Sequence, residues 1–310
     1  MASVLTILLP VFGLIALGYG MACTRLFTRE GVRGFGNFVY YLALPALLFR
    51  GAAIDQAGAG GDPRVLAAYF LGAVALFALG MLIGRWRFGL DLKAQGVLAI
   101  NVSFGNTVQL GLPLMLAAFG PAALAPMTLI IALHSMVLLT LATLVIELGR
   151  GGSGELGRSL HATARALLTN PIIGAIVLGF CWRSTGWPLP RAIVDFVELL
   201  AAAASPSALF ALGAALAQFR LGSGAGETVV IVALKLLLQP TVVWLLGRAL
   251  GLAPLDLAVA TVAAALPIGL NAFIVAQRYG VYVDRSAGAV VLSNIVSVAT
   301  LAAVLAAFAG

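Results

Sequence analysis

The sequence predicts an all-α integral membrane protein: ten transmembrane helices forming two inverted five-helix repeats, with helices four and nine broken and crossing. Three observations carry that expectation. Apolar runs of about twenty residues, enough to cross a bilayer, recur along the chain. The two halves carry the same landmarks in one register. Two of the runs, moreover, hold Asn, Gly and Pro in their middles, where an ordinary spanning helix has none.

Of the 310 residues, 62% are hydrophobic and 9% charged, with a mean hydropathy of +1.10. A soluble domain carries roughly 25% charged residues, so almost nothing is left over for a water-soluble module. The net charge of +7 belongs to loops between spans, and it carries no nucleic-acid signal. Cys23 and Cys181 show no metal or redox spacing. The first apolar run ends at Met21-Ala22-Cys23, like a signal peptide, but it has no basic leader, is too long and contains Pro10. It reads as a retained helix.

The ten spans fall at about 3–23, 34–53, 64–85, 94–118, 121–148, 168–183, 190–219, 227–250, 255–277 and 284–308. Between the fifth and sixth lies the longest polar connection, 151–165, which reads as a flexible cytoplasmic linker between a first repeat at 1–150 and a second at 166–310. Loops after odd-numbered spans hold twelve Lys and Arg, among them Arg25, Arg85 and Arg220, and loops after even-numbered spans hold five. Lys235, the eighteenth, lies well inside a span. The positive-inside rule then places the chain in the cytoplasmic membrane with both termini outside. Cys23 falls on the inner side and Cys181 on the outer, which disfavours a disulfide between them.

The repeat is read from landmarks. Pro10 and Pro171 are 161 apart, as are Pro45 and Pro206, and Leu44-Pro45-Ala-Leu-Leu-Phe49 resembles Ser205-Pro206-Ser-Ala-Leu-Phe210. Ala118-Phe119-Gly120 and Arg278-Tyr279-Gly280 align at 160. That register relates Pro267 to Thr107, Asn271 to Gly111 and His134 to Asn294. Five spans per half is an odd number, so the halves enter the membrane from opposite sides, as in alternating-access transporters.

The broken spans carry Asn106 to Pro113, with Gly105 just before and Gly111 within, and Leu266 to Asn271, with Pro267 and Gly269. Pro removes a backbone donor, and Gly permits bends and close approach. Freed backbone cannot face lipid, so it must line a cavity or pack on protein. Asn106 and Asn271 are suited to bind a carboxylate; the plainer reading is that they satisfy carbonyls freed by the prolines. Each half-helix after a break points a partly positive N-terminus inward, which suits an anion. Asn101 and Gln109 fit either pocket lining or helix–helix hydrogen bonding. Lys235 lies about 12 Å into its span by helical rise; it is either a counter-charge for an anion or a snorkelling residue. His134, with Asn294 as its counterpart, is a candidate for proton coupling or a packing residue. Glu147 reads as interfacial. No acidic cluster lies beside either break, so a metal site is not expected.

Val39 to Phe49, Asn106-Thr with Gly111-Leu-Pro113, Ser205 to Gly213, Lys235 with Pro240, Ala265-Leu-Pro267 with Asn271-Ala-Phe, and Leu292-Ser293 with Ser297 together resemble the auxin efflux carrier family. The match runs from Pro10 to Thr300. Gly105 in place of a Pro, and the short linker, resemble its bacterial-type members. The resemblance implies ten helices in two inverted repeats, a fold similar to bile acid:sodium symporters. It implies a scaffold from about 1–55 and 166–220, and a mobile transport domain from about 62–150 and 226–310. It also implies transport of small organic anions such as malonate, other carboxylates or auxin, by an elevator-like motion. A passive anion channel or uniporter and a sodium-coupled symporter are the alternatives. The chain has no paired aspartates, His-Glu-x-x-His or Gly-x-Ser-x-Gly motif, so it does not read as an enzyme, and no cofactor is expected. Small-residue faces, such as Ala201 to Ala204 and Gly213-Ala-Ala, read as close helix packing or as a homodimer interface in the scaffold.

Overall fold

The computed structural model describes residues 4–24, 27–54, 62–150, 153–219 and 225–308. Arg25, Arg220 and the first two linker residues lie outside them. Every described element is helical. In chain order the helices are α1 (Val4–Ala22), α2 (Arg29–Phe38), α3 (Leu44–Ala53), α4 (Pro63–Phe88), α5 (Leu92–Ser103), α6 (Leu112–Phe119), α7 (Leu124–Arg150) and α8 (Ser153–Leu168). There follow α9 (Pro171–Ser184), α10 (Arg191–Leu216), α11 (Ala225–Ala233), α12 (Gln239–Ala249), α13 (Pro254–Ala265), α14 (Leu270–Tyr279) and α15 (Val283–Phe308). The described residues include seven helical stretches long and apolar enough to cross a membrane. The chain is therefore an integral membrane protein. Two shorter apolar helices, Thr107–Phe119 and Pro254–Ala265, belong to the runs expected to be broken. A helix of twelve residues rises only about 18 Å, against roughly 30 Å of hydrocarbon.

Proline sets much of the local geometry. Three π-helical turns, Val39–Ala43, Thr107–Gly111 and Leu234–Leu238, each end two residues before a proline: Pro45, Pro113 and Pro240. The proline ring clashes with the carbonyl four residues back, and those carbonyls, of Tyr41, Gln109 and Leu236, are the centres of the three turns. Widening the turn relieves the clash.

The stretch expected to be a flexible linker is helical from Ser153 onward. Its physical support is visible: Ser159 Oγ donates to Glu147 Oε1 at 2.5 Å, and Thr143 and Thr163 pair their hydroxyls at 3.5 Å. Glu147, expected at the interface, is consequently buried beneath α8, with Arg150 3.6 Å from its carboxylate. A Gly-rich start concealed an anchored helix.

The chain divides into two compact units. The first holds residues 1–61, 108–132 and 168–218; the second holds 62–107, 133–167 and 219–310. In the first, α1 and α10 lie antiparallel at near backbone contact. A β-carbon at Gly18 would overlap the carbonyl of Phe210, and one at Gly213 that of Ile15. Small-residue packing of this kind lets membrane helices approach where lipid gives no hydrophobic drive. Leu5, Leu9, Phe196 and Leu199 remain exposed on these two helices, as a surface solvated by lipid requires.

In the second unit, α4 starts at an Asp62 cap and ends on Gly89 at φ 63. Gly80 admits Val102 and Ala99 of α5, and Gly72 admits Val243 of α12. Gln95, Asn101, Ser103, Lys235, Gln239, Ser293 and Asn294 are all buried in this unit, so its core is where the polar chemistry lies.

The close approach of α1 and α10 gives a stability prediction. Gly213→Ala should lower the thermal midpoint of the purified protein by about 5 °C, from overpacking of roughly 1–3 kcal/mol. Gly174→Ala, at a helix position with open space around it, should leave the midpoint unchanged or slightly raised. Equal effects from the two substitutions would contradict the backbone contact.

Candidate functional site

The breaks arise from different sequence causes. In α13, Pro267 has no N–H, and it forces Leu266 into extended backbone at φ −61, ψ 146. In α5 no proline intervenes. Asn101 Nδ2 and Ser103 Oγ instead donate back to the carbonyls of Val97 and Ala99 at 2.8 and 2.9 Å. Such back-bonding competes with helix continuation. Phe104 then turns extended at φ −88, ψ 109.

The two extended segments pair with each other. Gly105 and Ile268 form an antiparallel bridge, with Asn106 N–H donating to Pro267 O at 2.8 Å and Gly269 N–H to Phe104 O at 3.1 Å. The approach is tight enough to require glycine at 269, where a β-carbon would lie 2.9 Å from the Phe104 ring and 3.0 Å from Gly105 O. The two unwound segments thus meet backbone to backbone.

Side chains complete the pairing. In a continuous helix Ile268 N–H would bond Ala264 O; here Ile268 N–H goes to Ser293 Oγ at 3.1 Å, and Ala264 O accepts from Lys235 Nζ at 2.7 Å. Likewise Thr107 N–H would bond Ser103 O; here it turns to Gly105 O at 2.9 Å, and Ser103 O accepts from Gln239 Nε2 at 3.1 Å. Lys235 and Gln239, four residues apart on one span, therefore cap the C-termini of α13 and α5. Lys235 is fully buried, with its ammonium held at the end of α13.

His134 approaches from α7. Its Nε2 lies 3.2 Å from Gly105 O and its Nδ1 3.2 Å from Tyr69 Oη, with its ring 4.2 Å from that of Phe104. A carbonyl only accepts, so Nε2 donates to Gly105 O, while Nδ1 pairs with the tyrosine hydroxyl. The ring holds the unwound strand in place. Asn294 bonds its own helix through Nδ2 to Val290 O at 2.8 Å, while its buried Oδ1 has no hydrogen-bond partner.

The remaining expected residues separate. Asn106 is buried beside the junction, and Asn271 is exposed at the second position of α14. Asn101 has both amide ends engaged, since Ser286 Oγ donates to its Oδ1 at 3.0 Å. One of these bonds lies within α5 and the other reaches α15. Gln109, Gly111 and Pro113 belong to the first unit, on the π-helical turn and the start of α6. Among the described residues no three His, Cys, Asp or Glu cluster in a way that could hold a metal. Sequence reasoning did not single out Gln239 or Tyr69, and it took Ser293 only as a landmark of the family resemblance. For Gln239 a signal existed: a second buried polar residue one turn after Lys235.

Comparison with known proteins places the chain in a family. A family model described as membrane transport protein matches residues 3–305. A Rhizobium meliloti (strain 1021) protein provisionally named a malonate transporter is 29% identical over 98% of this chain and 96% of its own length. The uncharacterized transporter YfdV of Escherichia coli (strain K12) is 26% identical over 92% and 91%. Auxin efflux carrier component 5 of Arabidopsis thaliana is 25% identical over 98% and 96%. The chain belongs to the membrane transport protein family, that of the auxin efflux carriers, and is a membrane transporter rather than an enzyme.

Proposed function

We propose that this transporter moves a small organic anion, a mono- or dicarboxylate of malonate size, across the cytoplasmic membrane by alternating access. The observation that carries this reading is the paired break. Two interrupted helices joined at their unwound segments, with Asn106 and Asn271 beside the junction, combine amide donors with the partly positive N-terminus of α14. Amides and helix N-termini bind a carboxylate without a fixed counter-charge. Lys235 is committed to Ala264 O and so is assigned to the helix ends rather than to substrate. The name given to the Rhizobium meliloti relative supports a short dicarboxylate as the first compound to try.

In this reading the chain spans the membrane ten times as two inverted five-helix repeats, with the short half-helices completing spans four and nine. Residues 1–55 and 166–220 act as scaffold, and 62–150 and 226–310 as the moving, elevator-like body. The landmarks shared between the halves support it, as does the division of the chain into two units, which follows these bounds apart from residues 108–132, grouped with the first. Paired breaks of this kind favour a carrier over a channel. The loop charges orient both termini outside.

Purified protein in liposomes should take up labelled malonate or a related carboxylate with saturable kinetics. Asn271→Ala should lower uptake by about tenfold, the loss of one hydrogen bond to a charged group, while the thermal midpoint holds. Flux that rises linearly with concentration would contradict a carrier. For orientation, both cysteines are exposed and free. A membrane-impermeant maleimide applied to spheroplasts should label Cys181 and spare Cys23, and the reverse pattern would invert the topology.

A further inference from the structure

Lys235 is chemically unusual for the place it occupies. Its side chain is fully buried, and no carboxylate among the described residues forms an ion pair with it. What faces it instead is backbone. Its Nζ donates to Ala264 O at 2.7 Å. A β-carbon built on Gly105 would lie 3.4 Å from that Nζ and 3.5 Å from Ala263 O, so the ammonium sits in the angle between the end of α13 and the unwound strand after α5.

Both sides of that angle are helix C-termini, α5 ending at Ser103 and α13 at Ala265. Each C-terminus carries roughly half a negative elementary charge, so two together amount to about one. The carbonyl of Ala263 has lost its helical partner because residue 267 is proline, and that of Ala264 because Ile268 N–H has gone to Ser293. The result is an oxygen-rich, negatively polarised recess in a dry interior, and a single positive charge balances it. A lone ammonium at such depth costs roughly 3 kcal/mol or more unless its surroundings are built for it. Here they are built from backbone.

We propose that the Lys235 ammonium is a resident monovalent cation for the joined helix ends, and that the space left by its removal binds a small cation from solution. The recess then discriminates by charge and size, accepting a primary ammonium or an alkali cation and rejecting a bulky quaternary one. This assigns Lys235 as a positioning residue that keeps the two breaks together without any bound inorganic ion.

The test uses the full-length protein purified in detergent, with thermal unfolding measured in choline chloride, sodium chloride and propylammonium chloride at one ionic strength. Lys235→Ala removes three methylenes and the ammonium, the outline of propylammonium. Lys235→Met fills much of the same volume without charge. In choline both variants should melt about 5 °C or more below the wild type. Propylammonium should recover most of the loss in Lys235→Ala and none in Lys235→Met, and the wild type should not distinguish the three salts. Equal behaviour of Lys235→Ala in propylammonium and choline would overturn the proposal, as would a wild-type midpoint for Lys235→Met. Should Lys235→Ala not survive purification, Lys235→Met decides: a lowered midpoint in all three salts supports the resident charge, and a wild-type midpoint overturns it. The readout is stability, so it stands apart from which anion the protein moves.

Discussion

Two interrupted helices in a bilayer face one constraint: their freed backbone groups have no water to turn to. An unmade hydrogen bond in hydrocarbon costs several kcal/mol, so neither break could persist alone. Here each break is the other's partner. Asn106 N–H and Pro267 O, and Gly269 N–H and Phe104 O, are the bonds that a pair of β-strands would make, used once, in the middle of an otherwise helical protein. What the two segments cannot give each other is supplied by side chains from three further helices.

That requirement explains why the buried polar residues lie where they do. The helical stretch Gly226–Ala249 contributes Lys235 and Gln239, α15 contributes Ser293, and α7 contributes His134, each meeting a specific backbone group of the junction. Residues that a search for binding chemistry would collect as a substrate pocket are therefore mostly committed to the backbone. Asn106 and Asn271 stand beside the junction, and they are the residues on which the transport reading rests. A site that uses amides and helix ends rather than fixed charge suits a cargo that must be released as readily as it is bound.

Much of this was legible in the residues. Apolar runs located the helices to within a few positions. Pro267 with Gly269 located the second break through local backbone sterics, whereas the first falls at Phe104, after Asn101 and Ser103 bond back into α5, and Pro113 marks only the π-helical turn that follows. Partner choice was not legible. Nothing in the spacing says that Lys235 reaches Ala264 O or that Ser293 takes Ile268 N–H, since those contacts depend on how helices far apart in sequence pack. The π-helical turns before Pro45, Pro113 and Pro240 follow from the proline ring clash, whereas Pro267 stops its helix, and sequence alone does not say whether a helix will widen, kink or stop. The helix at Ser153–Leu168 was hidden by its glycines, whose weak propensity is overridden by the bonds that α8 makes to Glu147 and Thr143.

The junction itself is open to direct measurement by backbone amide hydrogen exchange on the protein in lipid nanodiscs, read on peptides covering 104–108 and 266–270. If Asn106, Ile268 and Gly269 donate as described, their amides should exchange as slowly as those within α5 and α13, orders of magnitude below the rate of an open loop. Complete exchange of these peptides at the earliest time point, with α5 and α13 still protected, would mean that the two breaks are not joined.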